Sequence, residues 1–199
     1  MKLHNMKKWL TTAAAAFTFM AAQGTAEAST VEKVQQGESI WGFANKYGVP
    51  VTEIKKVNNK KSDMLYIGEN VTIPTSPLTT YEKDLLARLV NAEAKGESYA
   101  GKVAVATVVL NRVESNEFPD TVKSVIYQIS NGHYAFTPVQ NGAINQPATA
   151  ESKRAVNEAI ALKGLGSGSL FFYNPKTAQS QWIKSRPVTT VIGNHVFAK

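Results

Sequence analysis

One polar stretch divides this chain. Thr75-Ser76-Pro77-Leu78-Thr79-Thr80 interrupts the hydrophobic pattern with a proline and four hydroxyl side chains, the composition of a connection and not of a core element. With 199 residues and 43% hydrophobic content, the chain has material for one or two small domains but not three. The expectation is an α+β protein in four parts: a leader at 1–28, a small βααβ module at 29–74, a linker at 75–80, and a larger module at 81–199. That larger module reads as a helical core followed by a small C-terminal β-sheet.

The leader rests on charge and length. Lys2, Lys7 and Lys8 precede residues 9–22, which carry no charge, and Ala26-Glu27-Ala28 is an A-x-A cleavage pattern. Such a run falls short of the roughly 20 apolar residues that span a bilayer, so a cleaved signal peptide is expected over an anchor, with no stable membrane span after cleavage. The chain has no cysteine and three histidines, at 4, 133 and 195. That excludes disulfides and Cys-ligated metal and argues against a His-rich metal centre; neither metal nor cofactor is expected. The net charge of +7 lacks a dense basic patch interleaved with aromatics, so no nucleic acid partner is expected. An anionic polymer such as a cell wall suits the mild basicity better.

In the small module, Val31 to Gln35 alternates weakly and stops at Gly37. Ser39 can cap a helix through Ile40-Trp41-Gly42-Phe43-Ala44, which Gly48 ends. A second helix starts at Thr52 with Ile54 and Val57 on its inner face; Asn58-Asn59 ends it, and Asn70 to Ile73 forms the closing strand. Trp41, at helical spacing with Ala44, reads as core. The ordered set Gly37-Glu38-Ser39-Ile40-Trp41, Ala44-x-x-Tyr47-Gly48-Val49, Asn58-Asn59 and Ile67-Gly68-x-x-Val71-x-Ile73-Pro74 resembles a LysM domain over nearly the whole module. The resemblance implies binding of N-acetylglucosamine-containing chains such as peptidoglycan or chitin. By position, Gly37, Glu38, Ser39 and Ile40 would line the glycan groove, with Asn59 to Leu65 opposite.

In the large module, Thr80 can cap a helix from Tyr81 to about Ala94, with Leu85, Leu86, Leu89 and Val90 as its apolar stripe. A second helix near Tyr99–Arg112 is apolar nearly all round, which marks it as buried. A third runs from an Asp120 cap through Val122, Val125, Ile126 and Ile129. Residues 133–148 read as a loop and 150–163 as a fourth helix. Strands follow at Leu170–Tyr173, Val188–Ile192 and His195–Phe197.

Glu93 stands where this first stripe calls for a hydrophobic residue. A carboxyl on a buried helix face loses hydration and holds its proton to higher pH, as a general acid for a glycosidic oxygen requires. The alternative is a structural glutamate at a fraying helix end. Glu97, one turn on and past Gly96, could complete an acid/base pair or could cap the next helix.

The string Ala92-Glu93-Ala94-Lys95-Gly96-Glu97, the apolar helix ending Asn111-Arg112-Val113, and Phe136-Thr137 resemble the cell wall hydrolase family that includes the SleB-type spore cortex-lytic enzymes. Gly142, Ile144, Phe172-Tyr173-Asn174-Pro175, Ser180, Trp182 and Gly193-Asn194-His195-Val196-Phe197 extend the resemblance through the large module. It implies a lysozyme-like fold and a lytic transglycosylase or N-acetylmuramidase, a peptidoglycan glycosidase cutting between N-acetylmuramic acid and N-acetylglucosamine. The essential glutamate maps onto Glu93. Candidate substrate contacts are Glu97, Phe136, Tyr173, Asn174, Trp182 and His195. For each a structural reading stands beside the functional one: core aromatics, a packed turn at 173–174, a hydrogen-bonded histidine. The expected product is secreted and associated with cell wall or spore envelope, held on peptidoglycan by the LysM module. A non-catalytic wall-binding protein with a degenerate hydrolase domain is the competing class. An amidase or endopeptidase would need a zinc set or a Cys/His pair, which the residue inventory does not supply.

Overall fold

The computed structural model describes residues 29–130 and 132–199, so the expected leader lies outside the described residues. The small module is β1 (Thr30–Lys33), α1 (Ile40–Tyr47), α2 (Val51–Val57) and β2 (Asn70–Ile73), with β1 and β2 antiparallel and Thr30 opposite Ile73. Ser39 caps α1 by accepting from the Gly42 N–H at 3.0 Å, and Gly48, at φ 61°, ends it in the left-handed region. Ile40, Phe43, Ala44, Ile54, Val71 and Ile73 form the buried centre.

Two side chains expected inside are not. Trp41 is 39% exposed, because Ile40 and Ala44 at i, i+4, with Phe43 and Tyr47 beside them, take the inner face of this two-turn helix. Val57 is 44% exposed, because α2 ends there and its next residue takes over the junction. The Asn58 side-chain amide donates to the carbonyls of Ile54 at 2.8 Å and Thr72 at 2.7 Å, and its oxygen accepts from the Thr72 N–H. That amide ties the end of α2 to β2.

The large module opens with α3 (Thr80–Glu93) and α4 (Tyr99–Glu114). Thr79, not Thr80, is the cap of α3, in a reciprocal box with Glu82: each side chain accepts from the other's backbone N–H. Val105, Ala106, Val108 and Val109 of α4 are fully buried, as a helix apolar on nearly every side must be. Then come α5 (Val122–Ile126), a short hairpin of β3 (Ile129–Ser130) and β4 (His133–Tyr134), α6 (Thr137–Gln140) and a 3-10 turn (Ala143–Asn145). Thus α5 is shorter than expected. Thr121 caps it in place of Asp120, and Ile129 stands in β3, 58% exposed. Residues 133–148 carry short regular elements where a loop is expected. Finally α7 (Ala150–Ala161), β5 (Phe171–Tyr173), α8 (Gln181–Lys184), β6 (Val188–Ile192) and β7 (His195–Ala198) complete the module, with the sheet in the order β5-β7-β6 and antiparallel throughout. The result is mixed helix and strand, with a mainly helical large module and small sheets. Among the described residues no helix is long and apolar enough to cross a membrane.

The two modules touch. Helix α1 packs on α7, and Ala161, the last residue of α7, is fully buried in the small module's core. Ser76 Oγ donates to the Gly48 carbonyl at 2.6 Å, and Lys83 Nζ to the Tyr47 carbonyl at 3.2 Å. A Cβ on Gly48 would lie 2.9 Å from Asn157 Oδ1 and 3.0 Å from Lys83 Nζ, side-chain ends that can move aside, so it is the left-handed backbone at φ 61° that favours glycine there.

Candidate active site

Glu93 closes α3. The next residues turn the chain sharply: Ala94 N–H still bonds the Val90 carbonyl, Gly96 adopts φ 84°, and Ser98 caps α4 by accepting from Gly101 N–H. The carboxyl is thus fixed on the core-facing side of a helix end while the backbone leaves. Burial pushes its pKa up from the ordinary 4.5 to about 7, against the opposing pull of the Arg112 guanidinium. No hydrogen bond holds it among the described residues, so no donor favours the anion.

Arg112 comes from the far end of α4 and is only 8% exposed. Its Nε donates to the Leu170 carbonyl at 2.7 Å, and its guanidinium lies 4.8 Å from the Phe118 ring, 5.2 Å from Phe136 and 5.6 Å from Phe171. Burial lowers its pKa to about 10, and Glu93 resists that shift. A charge enclosed by three ring faces keeps the carboxyl company without neutralising it by direct pairing. Sequence reasoning passed over Arg112, although the signal matches that of Glu93: a charged residue in a helix otherwise apolar all round.

The other candidates sort into three groups. Phe136 is 3% exposed, its ring between Arg112 and Phe172 (6.4 Å, stacked), so it is a core aromatic and offers no face to a sugar. His195 opens β7 with its ring 5.3 Å from Phe172 and 6.2 Å from Phe197, and its Nδ1 is buried with no hydrogen-bond partner among the described residues. Phe172 therefore links His195 to the Phe136–Arg112 cluster beside Glu93.

Glu97 does not cap α4, because Ser98 fills that position. Its carboxylate instead accepts from the Asn194 side-chain amide at 2.9 Å and the Asn194 N–H at 3.1 Å, and these bonds, the side-chain one foremost, hold it below the usual carboxylate range. Asn194, missed by local reasoning, is the partner 97 positions away. Glu93 and Glu97 therefore differ in kind: one is primed to hold a proton, the other to stay ionised.

The strand-end residues lie further out. Tyr173 is half-buried opposite Val196. Asn174 Oδ1 accepts from Lys176 N–H at 2.9 Å, the local turn that a packed reading anticipates. Trp182 is 57% exposed on α8, edge-on to Phe171 at 5.2 Å and flanked by the Arg186 guanidinium at 5.2 Å. Its indole has open surface for stacking.

A cell wall hydrolase model matches residues 96–198, and a LysM model matches 33–74. The chain belongs to the cell wall hydrolase family. Glu93 stands three residues before the matched segment. Similar curated proteins are the spore cortex-lytic enzymes of Halalkalibacterium halodurans, 43% identical over 113 residues, and Bacillus cereus, 44% over 115. These alignments take in 57% and 58% of this chain but only 33% and 43% of the relatives' own lengths. Among solved structures, the catalytic domain of the germination-specific lytic transglycosylase SleB from Bacillus anthracis is 40% identical with a TM-score of 0.55, over 62% of this chain and 98% of that one.

In the LysM domain the expected groove is uneven. Gly37 has φ 84° and Asn59 φ 52°, so both margins turn in the left-handed region. Glu38 Oε2 accepts from Gln35 N–H at 2.7 Å, and Ser39 Oγ is engaged as the α1 cap, so both are tied into the first margin. Ile40 is 1% exposed: it begins the inner face of α1, and its side chain faces the core, not the groove. Leu65 packs partly against the same core, whereas Met64, Tyr66 and Ile67 beside it are exposed by 60% or more.

Proposed function

We propose that this cell wall hydrolase is an exported peptidoglycan glycosidase with Glu93 as its general acid and base, held on wall glycan by the LysM domain. The observation that carries the reading is Glu93 itself: a carboxyl pushed up to about 7 by burial, at the end of a helix whose apolar stripe it interrupts. Near neutral pH such a group holds a proton in a large fraction of molecules and can return as a base once it has given it up. Arg112 limits the shift, so the group does not become too weak an acid to donate.

The reaction class is lytic transglycosylation. Glu93 protonates the glycosidic oxygen as the bond from C1 of N-acetylmuramic acid breaks. The resulting carboxylate then takes the proton of the sugar's own 6-hydroxyl as that oxygen bonds to C1, leaving a 1,6-anhydro end. One titrating carboxyl suffices; Glu97, held ionised by Asn194, positions the β6–β7 turn and with it His195. Trp182 and Tyr173 extend the glycan surface. The Halalkalibacterium halodurans and Bacillus cereus relatives are spore cortex-lytic enzymes by name, and the charge pattern and A-x-A motif of residues 1–28, together with the LysM domain, support export to the wall or spore envelope.

Glu93→Gln keeps the shape and removes the titrating proton. Release of muropeptides from purified wall should fall at least about 10²-fold, the usual size of a general-acid contribution. Mass spectrometry of the parent's products should show 1,6-anhydromuramic ends. Near-normal release by the variant would remove Glu93 from the mechanism; reducing ends would make the enzyme a hydrolase of the same bond.

A further inference from the structure

Where the LysM domain meets the large module, α1, α4 and α7 leave a cleft of about 480 Å³ between them. Gly42, Asn45 and Lys46 line it from α1, and Tyr99, Arg154 and Asn157 from the other side. None of the six belongs to the cluster around Glu93 or to the groove margins at 37–40 and 59–65. The volume lies within the roughly 300–1,000 Å³ of small-molecule sites.

Its chemistry is unspent. Asn45 and Asn157 are half-buried, and neither amide has a hydrogen-bond partner among the described residues. Arg154 forms no ion pair among them either. Lys46, by contrast, is held by Glu32 at 3.0 Å, and the Tyr99 hydroxyl donates to Glu158 at 2.8 Å, which fixes the ring that forms one wall. The cleft therefore presents two amides without hydrogen-bond partners among the described residues, the Asn157 oxygen lying against Gly48, together with one guanidinium outside any ion pair there and one fixed aromatic ring. A polyanion would want several free cations. A neutral ligand rich in hydroxyls and acetamido groups uses what is there.

We propose that this junction is a second saccharide site, taking an N-acetylated hexosamine unit of the wall glycan and complete only when the two modules are docked. It rests on the reading that wall glycan is the substrate. Asn45 and Asn157 bond the acetamido group and ring hydroxyls from opposite walls, Arg154 donates to a further oxygen, and Tyr99 packs a C–H face of the sugar. Because half of the site comes from each module, a glycan bound there also bridges them.

The test is an NMR titration of the full chain carrying Glu93→Gln, which prevents turnover, with chitotetraose as the probe. Shifts are expected at Tyr99 N–H and at the side-chain amides of Asn45 and Asn157, separate from any at 37–40 and 59–65. Arg154→Ala together with Asn157→Ala should weaken the junction event about tenfold or more, as expected for losing two ligand hydrogen bonds, and leave the groove event unchanged. Shifts confined to the groove, or junction shifts that survive the double substitution, overturn the proposal. So does a junction that responds to polyglycerol phosphate and not to chitotetraose. Wall lysis by the parent with a silent junction would leave the glycosidase reading standing alone, whereas an occupied junction without lysis would do the reverse.

Discussion

A carboxyl whose pKa is raised by burial has consequences for stability as well as catalysis. Glu93 holds its proton up to about 7 when folded, against an ordinary value of 4.5. Between those two values the folded state binds more protons than the unfolded chain, so stability falls as the pH rises through that window and is lowest above it. Glutamine has nothing to ionise. Glu93→Gln should therefore be more stable than the parent at pH 8, by up to about 3 kcal/mol for a shift of this size, and should lose that advantage at pH 4. Urea unfolding at the two pH values measures it; an equal difference at both would show that burial does not set the acidity of Glu93. Wall lysis should fall as the pH rises past about 7, because the donor is then spent. Glu93 was legible from the sequence because the evidence for it is local, four residues after Leu89 and three after Val90. Arg112 obeys the same rule on α4. Its role beside Glu93 was not legible, since that depends on how two helices cross.

The element that most needs the folded structure is the β6–β7 turn. Glu97 reaches Asn194 across 97 positions, and no local pattern reports such a partner. Gly193 has φ 57°, and a Cβ there would land on the Glu97 carboxylate. Gly193→Ala should cost about 1–2 kcal/mol from the left-handed backbone alone, and more from the clash. In a Glu97→Ala background only the backbone part should remain; an equal cost in both backgrounds, by chemical denaturation, would mean the carboxylate does not shape the turn. Glu97→Gln keeps one acceptor for Asn194 and should slow lysis less than Glu93→Gln does. Equal loss, with azide restoring turnover at position 97, would instead make the enzyme a two-carboxylate glycosidase. Long helices were readable for the same reason that short ones were not. Fourteen and sixteen residues give α3 and α4 several turns of periodicity, whereas α6 and α8 have four residues each, too few for a period to register. Trp41 and Val57 show a related limit: spacing places both near an inner face, but on helices of eight and seven residues the neighbours decide which side is covered.

At the scale of the whole molecule, composition marks residues 75–80 as a connection but carries no information about what the two modules do to each other. Ala161 ends α7 of the hydrolase domain yet sits fully buried in the LysM core, and Ser76 of the connection itself bonds the Gly48 carbonyl. An alanine is what a helix contact of this kind uses, and at the sequence level it looks like any other small residue on an apolar stripe. The arrangement predicts that the modules share stability. Ala161→Glu places a charge in an enclosed apolar contact, where an unpaired carboxylate is strongly unfavourable, and the least costly response is for α1 to lift from α7. Calorimetry should then find one transition in the parent and two in the variant, with the LysM transition at the lower temperature because its core is the smaller. Lysis of short soluble glycan should persist in the variant, since Glu93 and Arg112 lie in α3 and α4 and neither takes part in the contact. Lysis of insoluble wall should drop, because a loosely held LysM domain no longer presents bound glycan in a fixed place and acts only by raising local concentration. A single unchanged transition in the variant would mean that the contact between α1 and α7 contributes nothing to folding, and that the segment between β2 and α3 behaves as a simple tether.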